Sequence, residues 1–137
     1  MKKFMIILSM LMISIVSFAG YESDLVERMR AYEEKSQKEL DTGVNMTDTM
    51  SAIGQKWDEE LNKIYKLLMS KLSTQQKTKL RNEEKAWIAK RDKDAKKAAS
   101  QYEGQIKYMT ERNHQAEANK KRAIELAKRY DNLGSKK

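Results

Sequence analysis

The sequence predicts an all-α protein, a compact antiparallel bundle of three to four helices that follows a signal peptide. The 137 residues include no Pro and only five Gly, which argues against the many turns that an all-β chain needs. Apolar residues recur at spacings of three and four over long segments, and no segment alternates polar and apolar residues long enough to require a strand. The segments between the predicted helices are short, which favours antiparallel neighbours.

Residues 1–19 have the three parts of a secretory signal peptide. Lys2 and Lys3 form a positive start, residues 4–16 are almost wholly apolar, and Ala19 ends a small-residue cleavage site. The apolar segment is too short to span a hydrocarbon core of about 30 Å comfortably. We therefore expect an exported protein, periplasmic or secreted, with no transmembrane segment after cleavage and a net charge of +6 in residues 20–137.

Residues 20–46 are predicted to form an acidic first helix and a loop. Residues 21–41 carry seven acidic and four basic side chains, a net charge of −3. Leu25, Met29 and Tyr32 share one face of this helix, but the stripe is thin beyond Tyr32. We expect this helix to be more weakly packed than the others.

Residues 47–134 are predicted to form the main helical domain. The strongest stripe runs through residues 48–72, where Thr47 or Asp48 can cap the helix and Gly54 marks either a close helix contact or a break. The third helix begins at a capping box of Ser73 and Gln76. The fourth runs over about 105–132, with Ile106 and Met109 in its apolar stripe, and residues 135–137 are expected to be a mobile tail.

Several classes of chemistry are excluded by residue counts. With no Cys, the chain has no disulfide, thiol nucleophile, zinc ribbon or iron–sulfur cluster. Glu111, His114 and Glu117 resemble half of a carboxylate-bridged metal site, but His114 is the only His and the second half is missing. We predict no catalytic residues, no metal site and no cofactor.

Two polar clusters lie beside the apolar stripes. Asp58, Asn62 and Tyr65 occupy neighbouring positions on one helix face, where a structural hydrogen-bond network is the common outcome and a ligand site the alternative. Trp87 and Arg91 are four residues apart, so the guanidinium can lie along the indole or reach a neighbouring helix. We expect an ion pair between Arg91 and Asp58 across two helices.

The basic excess lies in residues 42–137, which carry 22 basic and 13 acidic side chains. The two signs alternate along most of this length, with local concentrations at 85–97 and 120–122. Such a pattern is typical of a solvated face, and attraction to anionic envelope polymers or lipids is the alternative. Nucleic acid is not an expected partner, because a continuous basic stripe with stacking aromatics is missing.

Taken together, the clusters resemble the bacterial domain family of the lysozyme inhibitor LprI. Its pattern reads roughly D-x-x-L-N-x-x-Y, then L-x-x-x-Q-x-x-W-I-x-x-R-D-x-x-C, then R-x-x-x-L. The resemblance covers about residues 47–127. The matching residues are Asp58, Leu61, Asn62 and Tyr65, then Leu80, Trp87, Ile88, Arg91 and Asp92, then Arg122 and Leu126.

The resemblance implies an exported helical domain, and inhibition of a lysozyme belongs to few of the family's members. This chain departs from the pattern at three positions. Glu84 replaces the usual Gln, Ala95 replaces the Cys after Arg-Asp, and a later Cys falls at about His114. Disulfides that brace other members cannot form here, so helix packing must suffice. We expect the family-motif residues to be structural.

We predict an exported, non-enzymatic interaction domain that binds or inhibits a muramidase, or another envelope protein. The alternative is a peripheral binder of anionic envelope polymers or lipids. Candidate binding residues are Glu33, Glu34, Lys90 and Lys93. Animal lysozymes are usually cationic, as is this chain, and like charges oppose encounter. We therefore expect that a cationic lysozyme is not strongly inhibited. If inhibition occurs, it should use acidic residues such as Glu33 and Glu34, or a basic residue inserted between the cleft carboxylates.

Overall fold

A computed structural model describes residues 20–134, which form four α-helices. They are α1 (Tyr21–Asp41), α2 (Met46–Ser70), α3 (Thr74–Ala99) and α4 (Gly104–Gly134). The predicted all-α class and helix number are confirmed, and no strand occurs in the described part of the chain. The predicted signal peptide (1–19) and tail (135–137) lie outside the described residues.

The centre of the bundle is the pair of α2 and α4, which run parallel to each other. A Cβ on Gly54 of α2 would lie 3.4 Å from the Cβ of Ala116, and three residues later Trp57 lies beside Lys120, four residues after Ala116. Gly54 therefore marks a close helix contact rather than a break. Ala123 and Ala127, both fully buried, continue the line of small residues on α4.

The other two helices lie on opposite sides of this pair and run antiparallel to it. On one side of α4, Lys120 and Lys128 contact Glu33 and Glu22 of α1. Side chains on the other side of α4, among them Arg122, contact α3. The sequence-adjacent helices are therefore antiparallel, as predicted, while α2 and α4 form the parallel diagonal of a four-helix bundle.

The apolar core lies mainly between α1, α2 and α4. Its stripes follow the predicted helical spacing, except that Ile106 at the start of α4 is 62% exposed and not part of the core. Only Leu80 represents α3 in the core cluster. The cluster consists of Leu25, Met29, Trp57, Leu61, Ile64, Leu68, Leu80, Ala123, Leu126 and Ala127.

Two helices begin at side-chain caps. The carboxylate of Asp131 accepts hydrogen bonds from the backbone N–H groups of Tyr21 (2.8 Å) and Glu22 (3.0 Å), so the end of α4 caps the start of α1. At α3, the predicted capping box of Ser73 and Gln76 is confirmed. The predicted cap of α2 at Thr47 or Asp48 is wrong, because that helix already begins at Met46 after a left-handed Asn45.

Candidate functional site: the family motif and the open end of the bundle

The third block of the family pattern lies at the contact between α3 and α4. Arg122 is 4% exposed, and its Nε donates to Glu84 Oε1 at 2.6 Å. Its terminal nitrogens donate to Glu83 (2.8 Å) and Glu125 (2.9 Å), and its guanidinium lies 5.7 Å from the centre of the Trp87 ring. These contacts attach α3 to α4 through charged groups where the apolar core is thin.

This cluster shifts two pKa values. Burial disfavours the charged form of Arg122, but the hydrogen bonds that it donates to Glu83, Glu84 and Glu125 outweigh this effect and raise the pKa of the guanidinium. The hydrogen bond from Arg129, helped by the one from Arg122, lowers the pKa of Glu83 from 4.5 to about 2. Both groups are therefore charged at neutral pH, and each stabilises the other.

Arg91 also contacts α4 rather than α2. Its guanidinium lies 5.3 Å from the Trp87 ring, while Nη1 donates to Asn119 Oδ1 (3.0 Å) and Nε donates to Asp92 (2.9 Å). Asp92 in turn accepts a hydrogen bond from Gln115 at 3.1 Å. These bonds join α3 to α4 next to Ala95, where the family pattern has a Cys.

The expected ion pair between Arg91 and Asp58 is not formed within the described bundle, and that prediction was wrong. Asp58 and Asn62 are exposed, and the side chain of neither forms a hydrogen bond with another described residue. Leu61 is buried in the core and Tyr65 packs against it half-buried. The physical reason is that Arg91 finds its partners on α3 itself and on α4, so Asp58 is left facing solvent. Leu126, the last motif residue, is fully buried.

The four candidate binding residues differ in whether their charged groups are already paired within the bundle. Glu33 accepts a hydrogen bond from Trp57 Nε1 (2.7 Å) and from Lys120 Nζ (3.2 Å), so it is engaged within the bundle. Glu34 is exposed and its nearest cation is Arg30 of the same helix, at 3.9 Å. On α3, Lys90 pairs with Asp94 and Lys93 is exposed.

Sequence reasoning missed a buried carboxylate that attaches α1 to α2. Glu60 is fully buried and accepts hydrogen bonds from Arg28 (2.7 Å) and Lys63 (3.2 Å). Burial raises the pKa of Glu60, but these two cations outweigh it and hold the pKa below its ordinary value. Glu60 lies three residues after Trp57 and four before Ile64, so helical spacing places it on the face of the apolar stripe and the exposed Glu that precedes it on the opposite face. That spacing is the sequence signal that could have identified it.

We use the term open end for the end of the bundle that carries the α1–α2 and α3–α4 loops with the first turns of α2 and α4. A groove of about 680 Å³ lies there, with residues of all four helices in its wall, among them Asp58, Arg91 and Arg112. Arg112 donates to the hydroxyl of Tyr108 (3.2 Å), and its guanidinium lies 5.4 Å from that ring. Large apolar side chains are exposed at this end: Val44, Met46, Tyr102, Ile106 and Tyr108.

Within residues 20–134, no group of three or more His, Asp or Glu side chains is placed to hold a metal ion. None of the four helices is long and apolar enough to cross a membrane. No curated protein and no solved structure matches the chain. A model of the family described as lysozyme inhibitor LprI matches residues 33–126, beginning inside α1 and therefore earlier than the motif residues indicate. The chain belongs to the LprI lysozyme inhibitor family.

Proposed function

We propose that this protein is an exported, non-enzymatic inhibitor that binds a muramidase through the open end. Family membership supports the class of partner. The observation that carries the choice of surface is the number of large apolar side chains exposed at the open end, of which Tyr108 also lines the groove. Ile106 is 62% exposed and Tyr108 54%, although both lie on a helix whose other half is core.

The first turns of α4 have the composition of a protein-binding surface. Tyr and Arg are among the residue types that dominate binding energy at interfaces, and an isolated apolar patch on a soluble protein commonly marks such a site. Tyr108 and Arg112 hold each other in place by a hydrogen bond and a ring contact. A preorganised pair loses less side-chain entropy on binding than two free side chains.

The charge of this surface suits the chemistry of the partner. Muramidases act with a pair of carboxyl groups in a cleft, and a guanidinium can form two parallel hydrogen bonds with a carboxylate. Arg112 is exposed and is the cation that we assign to this contact. Glu33, in contrast, is engaged by Trp57 and Lys120, so we retain only Glu34 of the acidic pair as a residue able to meet a cationic partner.

The test is an assay of cell-wall lysis by an animal lysozyme, with residues 20–137 added in increasing amounts at 50 and 200 mM salt. We expect stoichiometric inhibition that is not weakened at the higher salt, because screening reduces the repulsion between two cationic proteins. Ile106→Asp should lose at least tenfold in inhibition. Val26→Asp is the matched control, since Val26 is also exposed but lies on α1.

Absence of inhibition at a micromolar excess of the wild-type protein would contradict the proposed function. Equal inhibition by wild type and Ile106→Asp would agree with the inhibitor function but would contradict the open end as the binding surface. Equal losses in Ile106→Asp and Val26→Asp would also contradict that surface, because a new negative charge at any exposed position would then suffice.

A further inference from the structure

The outward face of α3 is strongly basic. Seven cations are exposed on it, over a helix length of about 27 Å. They are Lys79, Arg81, Lys85, Lys90, Lys93, Lys96 and Lys97. Only Lys90 forms an ion pair with another described residue; the other six form none in residues 20–134, although the charge of Lys93 also acts on Asp94.

Three of the four acidic side chains of the same helix take part in contacts with α4, and the fourth, Asp94, pairs with Lys90 of the face itself. Glu83 and Glu84 pair with Arg122, Asp92 pairs with Arg91, and Asp94 pairs with Lys90. None of the four belongs to the exposed residues. Most of the acids are therefore separated in space from the bases with which they alternate in the sequence, because Glu83, Glu84 and Asp92 are used to attach α3 to α4.

Like charges on this face are close neighbours. Arg81 and Lys85, and Lys93 and Lys97, are four residues apart, a spacing at which equal charges destabilise a helix. An anion that bound along the face would remove this repulsion and would be held by several cations at once.

We propose that the outward face of α3 binds a linear envelope polymer with phosphate groups along its backbone. Six of the seven cations are Lys, whose ammonium groups act as point charges on phosphate and lack the planar fork with which Arg matches carboxylates. The face carries no aromatic side chain on which nucleobases could stack. It has one large exposed apolar residue, Ile88, and is too polar to enter a bilayer.

This surface is distinct from the open end and does not depend on lysozyme binding. A cationic lysozyme would be repelled by it, whereas a phosphate polymer would be attracted. Bound to such a polymer, the protein would be concentrated in the cell wall on which muramidases act. The two interactions also respond to salt in opposite ways, because polymer binding releases counterions and weakens steeply as salt rises.

The experiment measures binding of residues 20–137 to long-chain inorganic polyphosphate between 50 and 300 mM salt, with uncharged dextran, polyglutamate and vesicles of phosphatidylglycerol as comparison probes. The variant is the triple change Lys85→Gln, Lys93→Gln and Lys96→Gln. The matched control is Lys35→Gln, Lys38→Gln and Lys66→Gln, which removes three exposed, unpaired cations from α1 and α2.

We expect wild type and control to bind polyphosphate similarly and more tightly than polyglutamate, and neither to bind dextran. The α3 variant should bind at least about tenfold more weakly, and the slope of log Kd against log salt should fall by about 2. Equal weakening in both triple variants would overturn the proposal, since net charge alone would then explain binding. No binding to polyphosphate, or tighter binding to polyglutamate or the vesicles, would also overturn it.

Discussion

The two outer helices, α1 and α3, differ in how they are attached, and this difference sets the charge that each presents. Helix α1 is attached by apolar side chains, among them Leu25 and Met29, which are fully buried in the core. Because its acids are not needed for attachment, most of them remain exposed, and the helix has a net charge of −3.

For α3, attachment depends largely on carboxylates. Glu83 and Glu84 pair with Arg122 of α4, and Asp92 accepts a hydrogen bond from Gln115 of α4. The bases of α3 remain outside, and its net charge is +5.

The net charge of the whole protein is a poor guide to its partners, because the two outer helices carry opposite charge. Because α1 and α3 lie on opposite sides of the α2–α4 pair, the bundle has an acidic and a basic side rather than a uniform positive surface. A cationic lysozyme approaching the open end from the α1 side would not meet the cations of α3.

Arg122→Met should destabilise the protein most, by about 3–5 kcal/mol in urea unfolding, because it leaves the buried Glu84 without its cation. Adding Glu84→Gln, the residue usual in the family pattern, should recover part of the loss. A loss below about 1 kcal/mol in Arg122→Met would show that α3 is attached by its apolar residues instead.

Arg28→Ala should cost less, about 2 kcal/mol, because Glu60 stays buried but keeps its bond with Lys63. Urea unfolding again measures the effect, and Arg30→Ala on the exposed side of α1 is the control. A loss in Arg28→Ala as large as that in Arg122→Met would mean that α1 also depends on its charged contacts, and the contrast between the two helices would fail.

Acid should weaken the attachment of α3 through Glu83. Its pKa is lower in the folded protein than its ordinary 4.5, so its contribution is fully present above pH 4.5 and is lost as pH falls through about 2. Because Glu83 is partly exposed and screened, we expect about 1–2 kcal/mol. Between pH 7 and pH 2.5, Tm should fall less in Glu83→Gln than in wild type; equal falls would exclude this role.

Asp131→Ala should have the smallest effect, about 1 kcal/mol, because it removes only the cap of α1. Hydrogen exchange should show faster opening of the first turn of α1, with no change in α3. Faster exchange throughout the bundle would show that α1 is not a separate unit of local stability.

The helices themselves could be predicted because their signals are local. The stripe through Trp57, Leu61 and Ile64 and the capping box at Ser73 depend on residues within a few positions of one another, and the structure contains both. The proximity of Trp87 and Arg91 followed from the same helical spacing.

The predictions that were wrong are those that depend on how the helices pack against one another. The sequence gives no register for α3 against α4, so the choice of Asn119 over Asp58 as a partner of Arg91 was not predictable. Periodicity placed Ile106 in the core stripe, although the neighbouring helices do not extend over it and it stays exposed. The separation of acids from bases on α3 was hidden for the same reason, because it appears only when the buried side of the helix is known.

The most direct test of the account is a hydrogen-exchange footprint of residues 20–137 with and without a saturating animal lysozyme. If the open end is the inhibitory surface, exchange should slow at least about fivefold in peptides covering 42–46 and 102–112. Peptides covering 79–97 on α3 should not change. Slowing confined to α3, or no slowing at any peptide, would contradict the assignment of the open end as the lysozyme-binding surface.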